Sequence, residues 1–183
     1  MRAVLILCSV LCLALAGCDQ PKWRGDGPAP GAAPQAVTAA ASTVAPTRPV
    51  DPGPTPAPPP WAQGLVGKPL REAFPGTGVC KGNTDIIEKT YAGSPAGVRI
   101  HGWGWDVAAK TRVARILLVD ADARIVGAGE GGASRPDVTA AVPEVTDGQT
   151  GWNADLARTS GVVDTFGVVG GGKAVCVLGR MAF

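Results

Sequence analysis

The residues with the most chemistry to offer sit in one short run, His101-Gly102-Trp103-Gly104-Trp105-Asp106, which holds the only histidine and two of the five tryptophans. Read as a strand, its side chains alternate between faces. His101, Trp103, Trp105 and Val107 then share one side, and Gly102, Gly104 and Asp106 the other. Two indole rings in a row with polar groups beside them make the flat apolar plane on which a pyranose ring stacks. His101, Trp103 and Trp105 are therefore candidate ligand-binding residues. The competing role is core, because a small β domain with few aromatics needs indole bulk and Trp is highly buried on average. Core is favoured for Trp103, and for Trp105 the two roles balance. The glycines between them would make room for a ring crossing from a neighbouring strand.

Other chemistries find less in the chain. A Ser-His-Asp triad would have to use His101, and no G-x-S-x-G elbow accompanies it. Zinc is poorly served by one His and no H-E-x-x-H. Asp120-Ala121-Asp122 supplies two carboxylates without further oxygen ligands at loop spacing, which is turn chemistry rather than a calcium site. Gly127-Ala128-Gly129-Glu130-Gly131-Gly132 fits the G-x-G-x-x-G string, but no βαβ unit surrounds it. Its glycines are expected to supply a loop with positive φ. No catalytic residue, metal site or cofactor is assigned. A two-carboxylate hydrolase stays open, since any two of the twelve acids after residue 60 could converge. The formal net charge is +2 without a basic stripe, which argues against nucleic acid as a partner.

The start of the chain carries an address. Met1-Arg2 is a short positive region and Ala3 to Ala16 an apolar run, too short for a comfortable membrane span and the right size for a signal core. It ends in Leu15-Ala16-Gly17-Cys18, which resembles the lipobox of bacterial lipoproteins. The resemblance implies a signal peptide over 1–17, a lipid on Cys18 and a membrane-anchored protein of the cell envelope facing the periplasm. Asp19 resembles the inner-membrane retention signal of some Gram-negative lipoproteins. Within that reading the cysteines sort themselves: Cys8 and Cys12 leave with the signal and Cys18 is lipidated. Cys80 and Cys176 remain, and in an oxidising compartment they are expected to form a disulfide.

Residues 18–60 read as a tether. The stretch 19–60 has twelve prolines and nine alanines, too little apolar surface to offset ordering entropy, and is expected to be disordered. Fully extended at ~3.1 Å per residue it would reach about 130 Å, and as a flexible coil roughly 35–40 Å. Near Trp61 the composition changes. From there to Phe183 the charges balance, 13 Lys/Arg against 12 Asp/Glu, and apolar runs alternate with Gly, Asp and Pro.

This domain, 61–183, is expected to be mainly β, a small antiparallel sandwich or barrel-like fold with one short helix. Lys81-Gly82-Asn83 reads as a turn, with a strand expected through Ile86 and Ile87. Strands are expected over Val98–Val107, Val113–Asp120 and Arg124–Ala128, the last two joined by a tight turn at Asp120–Ala123. Ser134 would cap a short helix with Pro136 in its first turn. Strands follow around Gly151–Leu156, Val162–Val169 and Lys173–Leu178, the last pair joined by Gly170-Gly171-Gly172.

Gly102-Trp103-Gly104-Trp105-Asp106, the hairpin from Arg115 to Val126, Arg135-Pro136-Asp137-Val138 and Gly151-Trp152 together resemble a β module of bacterial surface-polysaccharide and glycosyltransferase-linked proteins. Its pattern runs Gly-Trp-x-x-Asp, a hydrophobic hairpin, Arg-x-Asp-Val, then Gly-Trp or Gly-Phe. Ala123 stands where that pattern usually has Gly. The resemblance implies a sandwich-like accessory module and carries over no catalytic residue. Arg135 and Asp137 are expected to pair and pin their loop. The functional expectation is a non-catalytic binding or accessory module for envelope glycan or an envelope protein complex. A carboxylate hydrolase and a purely structural interaction module are the alternatives.

Overall fold

The computed structural model describes residues 48–183. The expected signal peptide over 1–17, Cys8, Cys12, Cys18, Asp19 and the expected tether up to residue 47 lie outside the described residues. Ten strands build one sheet: β1 (Val50–Asp51), β2 (Gly76–Thr77), β3 (Cys80–Tyr91), β4 (Gly97–Asp106), β5 (Thr111–Arg112), β6 (Arg115–Val119), β7 (Ile125–Ala133), β8 (Gly151–Leu156), β9 (Val162–Val169) and β10 (Ala174–Ala182). Their order is β1-β3-β4-β8-β7-β6-β9-β10-β2, with β5 added beside β4. The expected mainly-β fold is what forms. All pairings are antiparallel except the two-residue strands β1 and β2, which run parallel to β3 and β10.

The sheet is single rather than two stacked layers, and it curls so far that β3 approaches β10. No ladder joins them. Instead Cys80 on β3 is bonded to Cys176 on β10, with their Cα atoms 5.6 Å apart. Glycines let the two strands approach: a Cβ on Gly179 would stand 3.0 Å from the Thr84 nitrogen, and one on Gly82 would stand 2.5 Å from Leu178 Cδ2. Inside the curl lies the main core, with Val98, Ile100, Ile116, Leu118, Trp152, Leu156 and Leu178. Trp152 is wholly buried. An indole of that kind removes enough apolar surface to contribute about 5 kcal/mol before the entropy of ordering it.

Its ring lies against Gly102 on the adjacent strand, where a Cβ would overlap both the ring and the Asn83 carbonyl. Gly102 thus makes room for a crossing ring, as expected. Gly127, Gly129 and Gly131 belong to the same logic. They sit in β7, not in a loop, and a Cβ on Gly129 would overlap the Asn153 carbonyl on β8. Of the G-x-G-x-x-G string only Gly132 has positive φ.

The outer face of the sheet is roofed twice. The first roof is the lead-in from Pro60 to Thr77, with a 3-10 turn (Pro60–Ala62) and α1 (Leu70–Ala73), a helix the sequence reading does not contain. It lays Ala62, Leu70 and Phe74 on Leu117, Val119, Ile125 and Val175. The second roof is α2 (Pro136–Ala141) and the loop behind it, which set Val138 and Val145 over Trp105. Pro136 opens α2 as expected, because a residue without an N–H is at no loss there. Ser134 is not its cap; Arg135 holds that position and makes no side-chain capping bond.

Two further expectations need correcting. Lys81-Gly82-Asn83 is not a turn but the start of β3, paired in register with Trp105, Gly104 and Trp103. The folded part does not begin at Trp61. Residues 48–60 form a strap across the domain, held by Thr90 N–H to the Pro49 carbonyl (3.0 Å), Ala92 N–H to Asp51 (2.8 Å), Gly93 N–H to Gly53 (2.9 Å) and Thr55 N–H to Pro95 (2.8 Å). A proline-rich segment has little conformational freedom to lose and few N–H donors to satisfy, so a handful of bonds suffices to order it. Gly97 lets the strap pass, since a Cβ there would overlap Thr55.

Candidate functional site

Between the two roofs one strip of the outer face stays open. Alternation along β4 and β8 decides what it presents. Val98 and Ile100 point into the core, so Arg99, His101 and Trp103 point out; Trp152, Ala154 and Leu156 point in, so Asn153 and Asp155 point out. The ladders place Arg99 opposite Asp155, His101 opposite Asn153 and Trp103 opposite Gly151, and Glu130 of β7 opposite Asn153.

The strip is cross-linked by polar bonds. Arg99 holds Asp155 through two parallel contacts, Nε to Oδ1 (2.9 Å) and Nη2 to Oδ2 (3.0 Å), and the Tyr91 hydroxyl donates to the same Oδ1 (2.8 Å). Burial, reinforced by that bond, raises the Tyr91 phenol pKa, so the residue stays a donor. The bond to Asp155 raises Arg99 as well. At the strip's edge the Gly53 N–H lowers the carboxyl pKa of Asp51, with Lys89 adding to it at 3.5 Å. Asn153 is satisfied with its amide nitrogen toward His101 Nδ1 (2.9 Å), Glu88 Oε2 (3.2 Å) and the Trp152 carbonyl (3.2 Å). In that orientation Nδ1 of the neutral ring accepts, and the imidazole proton sits on Nε2.

The sequence candidates divide. Trp105 is 3 % exposed and packs under Val138 and Val145, so it presents no stacking plane. The two-ring platform is not formed. Trp103 is half-buried at the border between the second roof and the open strip, and His101 is half-buried within it. The sequence reading passed over Arg99, Asn153, Asp155, Glu130 and Tyr91. Their signal was the alternation in Gly151-Trp152-Asn153-Ala154-Asp155-Leu156, where two polar residues recur on one face of a strand.

The Pro-rich strap walls the strip on one side. A cleft of about 390 Å³ lies between Pro59-Pro60 and Arg99, Asn153, Asp155 and Glu130. A second of about 480 Å³ continues from Glu130 and Pro60 past Trp61 to Arg115. The Arg115 guanidinium lies 5.5 Å from the Trp61 ring centre, in cation–π range. Together they form a shallow, mostly polar groove with an indole along its wall.

Around the groove the remaining sequence assignments are structural. Arg135 binds Asp137 (Nη2–Oδ2 2.8 Å) and reaches Asp85 on β3 (2.5 Å), which pins the α2 loop as expected. The bonds to Asp137, then those to Asp85, outweigh burial and raise the Arg135 pKa. The Arg135 stem crosses over Gly151, where a Cβ would stand 2.8 Å from its Cγ. Asp120 closes its turn by accepting from the N–H groups of Asp122 (3.1 Å) and Arg124 (3.0 Å), and Ala123 takes φ 57° where the pattern usually has Gly. Among the described residues no three His, Cys, Asp or Glu side chains gather as a metal-binding group. Compared with protein families, with curated proteins and with solved structures, the chain matches none.

Proposed function

We propose that this chain is a lipid-anchored protein of the bacterial envelope, held by Cys18 and facing the periplasm, whose domain is a non-catalytic module that binds envelope glycan. The observation that carries the reading is the open polar strip between the two roofs. Amide, carboxylate and guanidinium groups at Asn153, Asp155, Glu130 and Arg99 face one shallow groove beside Trp61. Sugar hydroxyls require paired donors and acceptors of this kind, and an indole offers its face to the sugar ring. The lipobox and the Cys80–Cys176 bond suit an exported protein. The resemblance to polysaccharide-associated modules points the same way.

The test is retention of the mature domain on isolated peptidoglycan and envelope polysaccharides. Wild type is expected to be retained, and an Asn153→Ala/Glu130→Ala variant, shown to be folded by its circular dichroism, to be lost into the flow-through. Absence of retention, or equal retention of both proteins, defeats the reading. Anchoring is tested separately: radiolabelled palmitate should enter the full chain and not its Cys18→Ala variant.

One observation favours a hydrolase as the second reading: Glu130 and Asp155 line the same cleft. Both Asp155 oxygens are already engaged by Arg99 and Tyr91, which leaves Glu130 as the less encumbered acid. Release of reducing ends from a retained polymer, abolished by Glu130→Gln, would establish the hydrolase in place of the binding module.

A further inference from the structure

The groove does not end at Trp61. Ala114 and Arg115 line both the Trp61 cleft and a third cleft of about 450 Å³, which runs on to Arg112, Thr111 and the turn Gly170–Gly172. The polar strip and this far end are thus one path. Arg99, Asp155 and Glu130 line its first part, Glu130 and Arg115 its middle, and Arg115, Arg112 and Asp106 its far part.

Arg115 is set up differently from the five arginines that hold a carboxylate. Arg99, Arg112, Arg135, Arg158 and Arg180 each have a carboxylate partner. Arg115 makes no ion pair among the described residues; its guanidinium is oriented instead by the Trp61 ring. Glu130, its cross-strand neighbour, does not reach it within ion-pair distance. The Asp106 carboxylate at the cleft is turned to its own loop, where Oδ1 accepts from the N–H groups of Ala108 (3.0 Å) and Ala109 (3.1 Å). The other wall is bare backbone: Gly170, Gly171 and Gly172 all have positive φ, and a Cβ on Gly172 would stand 4.0 Å from Arg115 Nη1. An oxyanion can approach this wall without meeting a side chain. A planar fork of free donors beside exposed main chain suits a carboxylate or phosphate.

We infer that the Arg115 end of the groove is a subsite for an anionic substituent, so that the glycan taken by this protein is an acidic one, bearing uronate or phosphate groups. The inference rests on the glycan reading above. The neutral part of the polymer lies over Asn153 and Glu130, and its charged group lies between Arg115 and the glycine turn. Arg112, held by Asp147 at 3.0 Å, adds positive charge without being the principal donor.

The experiment uses the mature 15N-labelled chain and reads the Trp61 indole N–H signal, assigned with Trp61→Phe. Its probes are inorganic phosphate, a trisaccharide bearing a single terminal glucuronate and the matching neutral trisaccharide. The acidic trisaccharide is expected to bind wild type about tenfold or more tightly than the neutral sugar, as charge-assisted bonds allow, and Arg115→Gln should erase that difference. Arg115→Lys should restore part of it, since a point charge lacks the fork. Equal binding of the two sugars, unchanged in Arg115→Gln, overturns the acidic-glycan inference and leaves the glycan module standing. A phosphate shift that depends on Arg115 while neither sugar binds upholds the anion subsite and defeats the glycan reading. No response to any of the three probes defeats both.

Discussion

Asp155 is the acceptor on which Arg99 and Tyr91 both close: Arg99 supplies bonds at 2.9 and 3.0 Å and Tyr91 one at 2.8 Å. The three side chains come from β8, β4 and β3, so the cluster ties three neighbouring strands together on their outer face. Asp155→Ala would leave a half-buried guanidinium and a buried phenol without their partner. We expect a loss of about 2–3 kcal/mol, because unpaired groups retain their desolvation cost. Asp155→Asn should lose less, since one acceptor oxygen remains. Urea unfolding should show lower midpoints at unchanged slope. A midpoint for Asp155→Ala equal to wild type would mean the cluster contributes nothing to stability.

The glycines of β4 and β7 mark where neighbouring atoms need the volume of a side chain. At Gly102 a Cβ would run into Trp152 and the Asn83 carbonyl, and at Gly129 into the Asn153 carbonyl. Main chain cannot step aside as a flexible side chain can. Gly102→Ala and Gly129→Ala should each cost at least about 3 kcal/mol, the upper end of overpacking. Gly148→Ala is the control, because nothing lies within 4 Å of its Cβ position. Thermal melts of the three variants check the order, and a Gly102→Ala protein that melts with Gly148→Ala would refute the packing argument.

Much of this architecture is legible in the residues. The runs around Val98, Arg115, Gly151, Val162 and Lys173 become strands, because apolar and polar residues alternate there. What the pattern does not show is where a strand's outer face meets a second layer. His101, Trp103 and Trp105 lie on one face by alternation, yet α2 covers Trp105 and leaves His101 at the open strip. That difference is set by residues about 35 positions away, beyond any local period. The strap escaped the reading for a similar reason. Composition marks Pro52–Pro60 as unable to build a core of its own, and it does not need one when Gly93 and Gly97 leave space for it on a core built elsewhere. Trp105→Ala should therefore cost about 3–5 kcal/mol as a core truncation, and would give no clean account of binding.

The Cys80–Cys176 bond joins strands that no ladder joins, across a sequence separation of 96. In the chain-entropy account a loop of that size contributes up to about 4–5 kcal/mol. Reduction, or Cys80→Ala/Cys176→Ala, should lower the urea midpoint strongly and loosen the β3–β10 side first, seen as faster hydrogen exchange at Thr84 and Gly179 than at Ile100. Thiol labelling of the denatured, unreduced domain 48–183 should find no free cysteine. Two labelled thiols would show that the bond does not form.

Acid should remove a further layer of support. The Arg180 guanidinium holds Asp164 below the ordinary carboxylate range and Arg135 does the same for Asp137. Burial pushes Asp120 upward, but the Arg124 N–H, the Arg158 guanidinium and the Asp122 N–H outweigh it and the net shift is down. A carboxyl whose folded pKa is depressed contributes stability above its unfolded pKa of about 4 and loses it as pH falls through the folded value. The melting temperature should thus vary little from neutral pH down to about 4 on account of these groups and fall below it. Arg180→Ala isolates one of them. Without the guanidinium, Asp164 returns toward its ordinary range, so the variant should melt below wild type at pH 6. Because protonated Asp164 no longer draws on Arg180, the two curves should converge as pH falls toward 2. A constant gap from pH 6 to pH 2 would assign the loss to the packing of the arginine stem instead of to its charge.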